Sequence, residues 1–186
     1  MKMKQLRTIK PEIRTLGVDD GGNISSSNNI SIIGAVFRCG AWLDGILRAK
    51  IDVAGINSTS KLTAMINQSS HSGQIRVILL GSIFFGKSNF VDINKLSLRT
   101  GKPVIALLRK HNIGKDGTAF NQAKFNILQS LKSVEIKSKK KIFYAYLSGI
   151  EHSNAEKVLK ATSKVEAIPE SIRIAQLTAS ALNNLG

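Results

Sequence analysis

Ile13-Arg14-Thr15-Leu16-Gly17-Val18-Asp19-Asp20-Gly21-Gly22 holds a strand and its end in one short stretch. Apolar Ile13, Leu16 and Val18 crowd its first half, the pattern of a buried strand, and a Gly-Gly pair closes the run. Two adjacent carboxylates stand at the strand's end, where side chains of an α/β sheet emerge into the ligand crevice. Asp19 and Asp20 so placed read in two ways. An acid pair on a strand tip anchors a divalent ion, because hard cations take carboxylate oxygens. Asp-Asp-Gly-Gly is also ordinary turn chemistry, and the local string by itself favours the turn.

Outward from this stretch, a polar loop Asn23 to Asn29 leads into strands at Ile30 to Arg38 and Trp42 to Val53. Cys39-Gly40-Ala41 is short enough to join them as an antiparallel hairpin. Leu62, Met65 and Ile66 at helical spacing predict a helix capped by Asn57 or Ser58 and running to about Ser70. Ile75 to Leu80 is almost continuously apolar, as in a central strand covered on both faces. A loop Gly81 to Lys87 carries Phe84 and Phe85. A short helix Asp92 to Arg99 is stopped by Gly101-Lys102-Pro103, and a strand Val104 to Leu108 follows. Further on come a helix Phe120 to Leu131, strands Val134 to Ile136 and Ile142 to Leu147, and helices Asn154 to Ala161 and Ser171 to Leu182. The order predicts an α/β fold of ribonuclease H-like layout: an antiparallel three-strand meander plus parallel strands in one mixed sheet, helices on both faces, in a single domain over residues 1–186.

Charge narrows the partners. A net charge of +15 and a pI near 10.2 attract polyanions, and nucleic acid, DNA or RNA, is the expected one. A thermophilic surface would raise Glu along with Lys, and here Glu does not follow. The basic hairpin Lys137, Lys139, Lys140 and Lys141, with Lys87, Lys102, Arg109 and Lys110, supplies candidate phosphate contacts. Phe84 and Phe85 are candidates for base stacking, weighed against burial of at least one of them in the core. No apolar run is long enough to span a membrane, and Met-Lys-Met-Lys lacks the apolar core of a secretion signal. Cys39 is the only cysteine, so a reducing, cytoplasmic setting is expected. His71, His111 and His152 show no zinc-like spacing, and the glycines form neither a P-loop nor a dinucleotide fingerprint.

Lys10-Pro11-Glu12-Ile13-Arg14, Gly17-Val18-Asp19-Asp20-Gly21, Val36-Phe37-Arg38, Trp42-Leu43-Asp44-Gly45 and Gly101-Lys102-Pro103-Val104-Ile105 together resemble an archaeal family. Gln74-Ile75-Arg76-Val77-Ile78, Asn89-Phe90-Val91-Asp92-Ile93 and Ile168-Pro169-Glu170 extend the likeness from Lys10 to about Ala181. The family is endonuclease dU, or domain of unknown function 99, a relative of endonuclease V. The resemblance implies a ribonuclease H-like, metal-dependent endonuclease that acts on deaminated DNA in repair. Asp19 would be the first-strand ligand of a Mg²⁺ or Mn²⁺ ion, with Asp20 beside it in the catalytic site. Such ions activate water and stabilise the leaving oxygen of a phosphodiester.

The chain also departs from that pattern. Gly81-Ser82 stands where related proteins have Asp-Gly, Ser60 stands near an expected acid, and Gln176 near an expected Asp or His. Asp44 and Asp92 are the remaining acids in the matching stretches. The same resemblance therefore implies an alternative: a nucleic-acid-binding protein that keeps the fold while its catalytic site has decayed.

Overall fold

A computed structural model describes residues 12–22, 28–86, 89–107, 133–138, 141–164 and 168–184. The predicted helix Phe120 to Leu131 lies outside these residues, as do Lys87, Arg109, Lys110, Lys139 and Lys140.

β1 (Arg14–Asp19), β2 (Asn29–Arg38) and β3 (Trp42–Asp52) form the expected antiparallel meander. α1 (Ser58–Asn67) leads to β4 (Val77–Leu80), which lies parallel to β1. The segment after β4 is a small hairpin, β5 (Phe84–Phe85) and β6 (Asn89–Phe90), where the sequence predicts only a loop. α2 (Ile93–Thr100) then leads to β7 (Val104–Leu107), parallel to β4. β8 (Ser133–Ser138) and β9 (Lys141–Ser148) close the sheet, with β9 antiparallel to β7. α3 (His152–Thr162) and α4 (Glu170–Asn184) complete the described elements. The seven-stranded sheet has the order β3-β2-β1-β4-β7-β9-β8. No helix among the described residues is long and apolar enough to cross a membrane.

Strand alternation sorts the core into two faces. Leu16, Val18, Ile78 and Leu80 pack with Leu62 and Ile66 of α1 and Leu96 of α2. Val77 and Leu79 turn the other way, onto Val158 and Leu159 of α3 and Ile172 of α4. α4 also covers Ile33, Ala35 and Phe37 of β2 through Ala175 and Ala179. It crosses β1 very closely: a Cβ on Gly17 would lie 2.1 Å from the carbonyl carbon of Ser171. Residue 17 must be glycine because α4's backbone occupies the space where a side chain would be.

Candidate functional site at the end of the first strand

Asp19 ends β1 and is 1% exposed. Its Oδ1 accepts the Gly21 N–H at 2.9 Å, so the turn reading of the Asp-Gly string is physically realised. Gly21 holds φ +79° with the Ser180 backbone packed against it, which closes the turn beneath α4. Asp20 accepts from the Gly22 N–H at 3.0 Å and, through its other oxygen, from the Gly86 N–H at 2.8 Å. Its carboxylate therefore ties the β5–β6 hairpin to the end of β1. Asn183 secures the same turn from α4: it donates to the Asp20 carbonyl at 2.9 Å and exchanges two bonds with the Ser31 backbone. Nothing in Ala-Leu-Asn-Asn near the end of a helix marks this residue in the sequence.

The two adjacent carboxylates face opposite ways. Asp19 continues the alternation of Thr15 and Gly17, the residues that meet Ser171 of α4. Asp20 reaches the hairpin, whose Phe85 belongs with Leu16 and Val18 in the core of the other face. A metal shared by this pair is thus disfavoured by the pleat itself.

Three of the positions singled out in the sequence do converge. β1 and β4 pair Val18 with Leu80, and the Gly81 N–H extends the ladder to the Val18 carbonyl at 2.9 Å. Gly81 therefore lies beside Asp19, one strand spacing or about 4.8 Å away. Its place in the alternation, after Val77 and Leu79, directs it to the α4 face. On α4, Ile172 lies against Gly17 and Ser180 against Gly21, so the intervening turn that carries Gln176 lies over Asp19. Ser60 sits apart on α1, exposed, with its hydroxyl donating to the Asn57 carbonyl at 2.8 Å.

The other acids are engaged elsewhere. Asp92 caps α2 through the Lys95 N–H and pairs with the Lys95 ammonium. Partial burial pushes its pKa up, but the Lys95 N–H and charge outweigh that and hold it below the usual value of 3.8. Asp44 pairs with Arg14 at the far end of β1, roughly 16 Å from Asp19 along the strand. Among the described residues no group of three or more His, Cys, Asp or Glu side chains could hold a metal ion. Two-metal hydrolysis needs shared carboxylates. The described residues at this site do not fit a Mg²⁺ or Mn²⁺ pair.

Phe85 is fully buried, whereas Phe84 is half-buried with its ring centroid 5.6 Å from that of Phe90. Lys137 is exposed on β8 and Lys141 opens β9. Because Leu107 pairs with Ala145, the start of β9 projects past the end of the sheet at which Asp19 stands. Lys137, Lys141 and Asp19 stand toward the same end of the sheet, separated laterally by β4 and β7.

Residues 11–183 match the endonuclease dU family. A UPF0215 protein of Methanothermobacter thermautotrophicus is 35% identical, over 97% of this chain and 92% of its own length. Among solved structures, a protein of unknown function from Archaeoglobus fulgidus superposes with a TM-score of 0.76 at 29% identity, covering 91% of this chain and 98% of that one. Ciona intestinalis endonuclease V, solved with a DNA containing an inosine followed by a ribo-adenosine, gives a TM-score of 0.59 at 15% identity. That superposition covers 94% of this chain and 87% of the Ciona chain, and at such identity it establishes the fold alone. The fold is the ribonuclease H-like one of endonuclease V, and the chain belongs to the endonuclease dU family.

Proposed function

We propose that this protein binds deaminated DNA at the Asp19 end of its sheet and cuts it weakly at most. It keeps the endonuclease fold and a basic surface, but its catalytic site has decayed. Gly81 carries the reading. It stands next to Asp19, under the α4 turn of Gln176, where a second carboxylate would have to be for two ions to be held roughly 3.5–4 Å apart. Binding needs none of those ligands. Phosphates are attracted by the +15 charge, and Lys137 and Lys141 lie at the same end of the sheet as Asp19. Phe84 is the aromatic of its pair that an extruded base can approach, since Phe85 is closed into the core.

A second reading, full metal-dependent endonuclease activity in repair, is favoured by one observation. Asp19 itself stands at the tip of β1 in an endonuclease V fold.

The two readings separate in one assay. Duplexes carrying deoxyuridine or deoxyinosine are incubated with the protein and Mg²⁺ or Mn²⁺, and complex and product are both measured. A retarded complex with little or no product supports the proposal. Robust metal-dependent cutting that disappears in Asp19→Asn overturns it in favour of the second reading.

A further inference from the structure

The end of the sheet opposite Asp19 carries an arrangement that the Asp19 site does not use. In the sheet register Arg14 lies across from Arg38 of β2. On its other side, one residue before the Thr15–Val77 pair, Arg14 lies beside Arg76, whose N–H donates to the Arg14 carbonyl at 2.9 Å. Lys102 reaches the same edge from the turn before β7: its Nζ donates to the Ile75 carbonyl at 3.1 Å, and the Arg76 charge bears on it. Four cations thus stand along one end of the sheet, Arg38 and Arg14 at the ends of β2 and β1 and Arg76 and Lys102 just before β4 and β7; alternation puts Arg38 and Arg14 on the face of α1 and α2. Arg38 pairs with Trp42 of β3, so a 67% exposed indole ends the row.

One anion is built into it. Phe37 pairs with Leu43 and Val36 with Gly45, which leaves Asp44 as the extra residue of a β-bulge. The bulged Asp44 receives the Arg14 Nε at 2.8 Å and the Arg38 Nη2 at 3.5 Å. Among the described residues it is the carboxylate that ion-pairs with the row. It fixes two guanidinium forks without cancelling the charge of four cations. Like charges directly opposite on neighbouring strands destabilise a sheet. The crowding registers at Lys102, whose pKa burial and the Arg76 charge both lower. Such a row is stabilised when an external anion neutralises it.

We infer that this row is a second nucleic-acid contact, which takes the phosphates of a single strand along Arg38, Arg14, Arg76 and Lys102 and stacks a base on Trp42. The geometry selects the ligand. The cations are strung over about 14 Å, three strand spacings, rather than converging on a point, which suits a chain of phosphates better than one small anion. Guanidinium forks match phosphate oxygens, and an exposed indole offers a face to any base. The inference rests on the proposed function only in taking nucleic acid as the ligand. Its residues lie roughly 16 Å from Asp19 along the strand and share none with that site.

Trp42 is the only tryptophan in the chain, so its intrinsic fluorescence reports on the row directly. The probe is a labelled oligothymidylate, with anisotropy reading binding and indole emission reading contact at the row. The wild type is expected to bind with quenching of Trp42. Arg76→Glu is expected to weaken binding about tenfold at low salt and to reduce the quench. Arg76→Ala, the milder change, should flatten the dependence of log K on log salt by about 0.7, the increment for one fewer phosphate neutralised on a single strand. Lys157→Glu changes net charge equally at an exposed position of α3 and should leave the quench intact.

If the wild type fails to bind the oligonucleotide at low salt, the nucleic-acid reading falls and this inference with it. If the wild type binds but Trp42 emission is unmoved, or Arg76→Glu and Lys157→Glu weaken binding alike, the row is not the contact, and binding at the Asp19 end stands. Equal quenching by polyglutamate would show a general polyanion site and overturn the assignment to nucleic acid.

Discussion

On the proposed reading, Gly81 is one of the positions where a carboxylate is missing, and it is the one that lies beside Asp19. It is not among the described glycines with positive φ, so an L side chain meets no conformational barrier there. Gly81→Asp would place a second carboxylate beside Asp19, at about one strand spacing. Without metal the two negative charges repel, and the melting temperature of the variant in EDTA should fall below that of the wild type. With Mn²⁺ it should recover, and calorimetry should show Mn²⁺ affinity raised on the order of tenfold. A melting temperature indifferent to Mn²⁺ would show that the new side chain does not meet Asp19. Gly81 could be singled out from the sequence because it interrupts a motif. That Asp20 faces away from Asp19, to hold Gly86, could not be foreseen, because its partner lies 66 residues along the chain in a hairpin too short to show in the sequence.

The elements differ in how far local chemistry dictates them. α2 is bracketed by its own signals: Asp92 accepts the Lys95 N–H at its start, and Gly101 adopts φ 66° at its end. Asp92→Ala should cost about 0.5–2 kcal/mol. Since the folded pKa of Asp92 is held below 3.8, its contribution is complete above that value and is lost as pH falls through the lower folded one. The stability gap between wild type and variant in urea titrations should therefore be constant near neutrality and close in strong acid. α1 ends at Asn67, short of the predicted Ser70, because the Ser69 hydroxyl bonds the Ile66 carbonyl and the chain turns out of the helix. β5 and β6 are two residues each, too short for any period to register, and tertiary contacts such as Ser58 Oγ to the Phe90 carbonyl help place them. The contact of α4 with β1 is equally silent in sequence. Gly17→Ala sets a methyl against the Ser171 backbone and should cost about 1–3 kcal/mol or more, lowering the melting temperature by several degrees.

At the scale of the whole molecule, the meander and the alternation of strand and helix disclose the mixed sheet, because each apolar run shows whether one face or two are covered. The antiparallel docking of β9 on β7 follows from no local pattern, since the partners are distant in the chain. Charge is the most legible global property. Binding to duplex DNA should give log K falling linearly with log salt at a slope of about −0.9 per phosphate neutralised, and affinity unchanged between low and moderate salt would contradict it. The grip of α4 on β1 and β2 bears, finally, on how the chain is made. Ile33, Ala35 and Phe37 are emitted early in synthesis, yet Ala175 and Ala179, which cover them, come after all nine described strands. The sheet can begin to pair during translation, but one apolar face stays bare until α4 follows. A ribosome stalled before Glu170 would hold a nascent sheet with that face open to chaperones or to other unfinished copies.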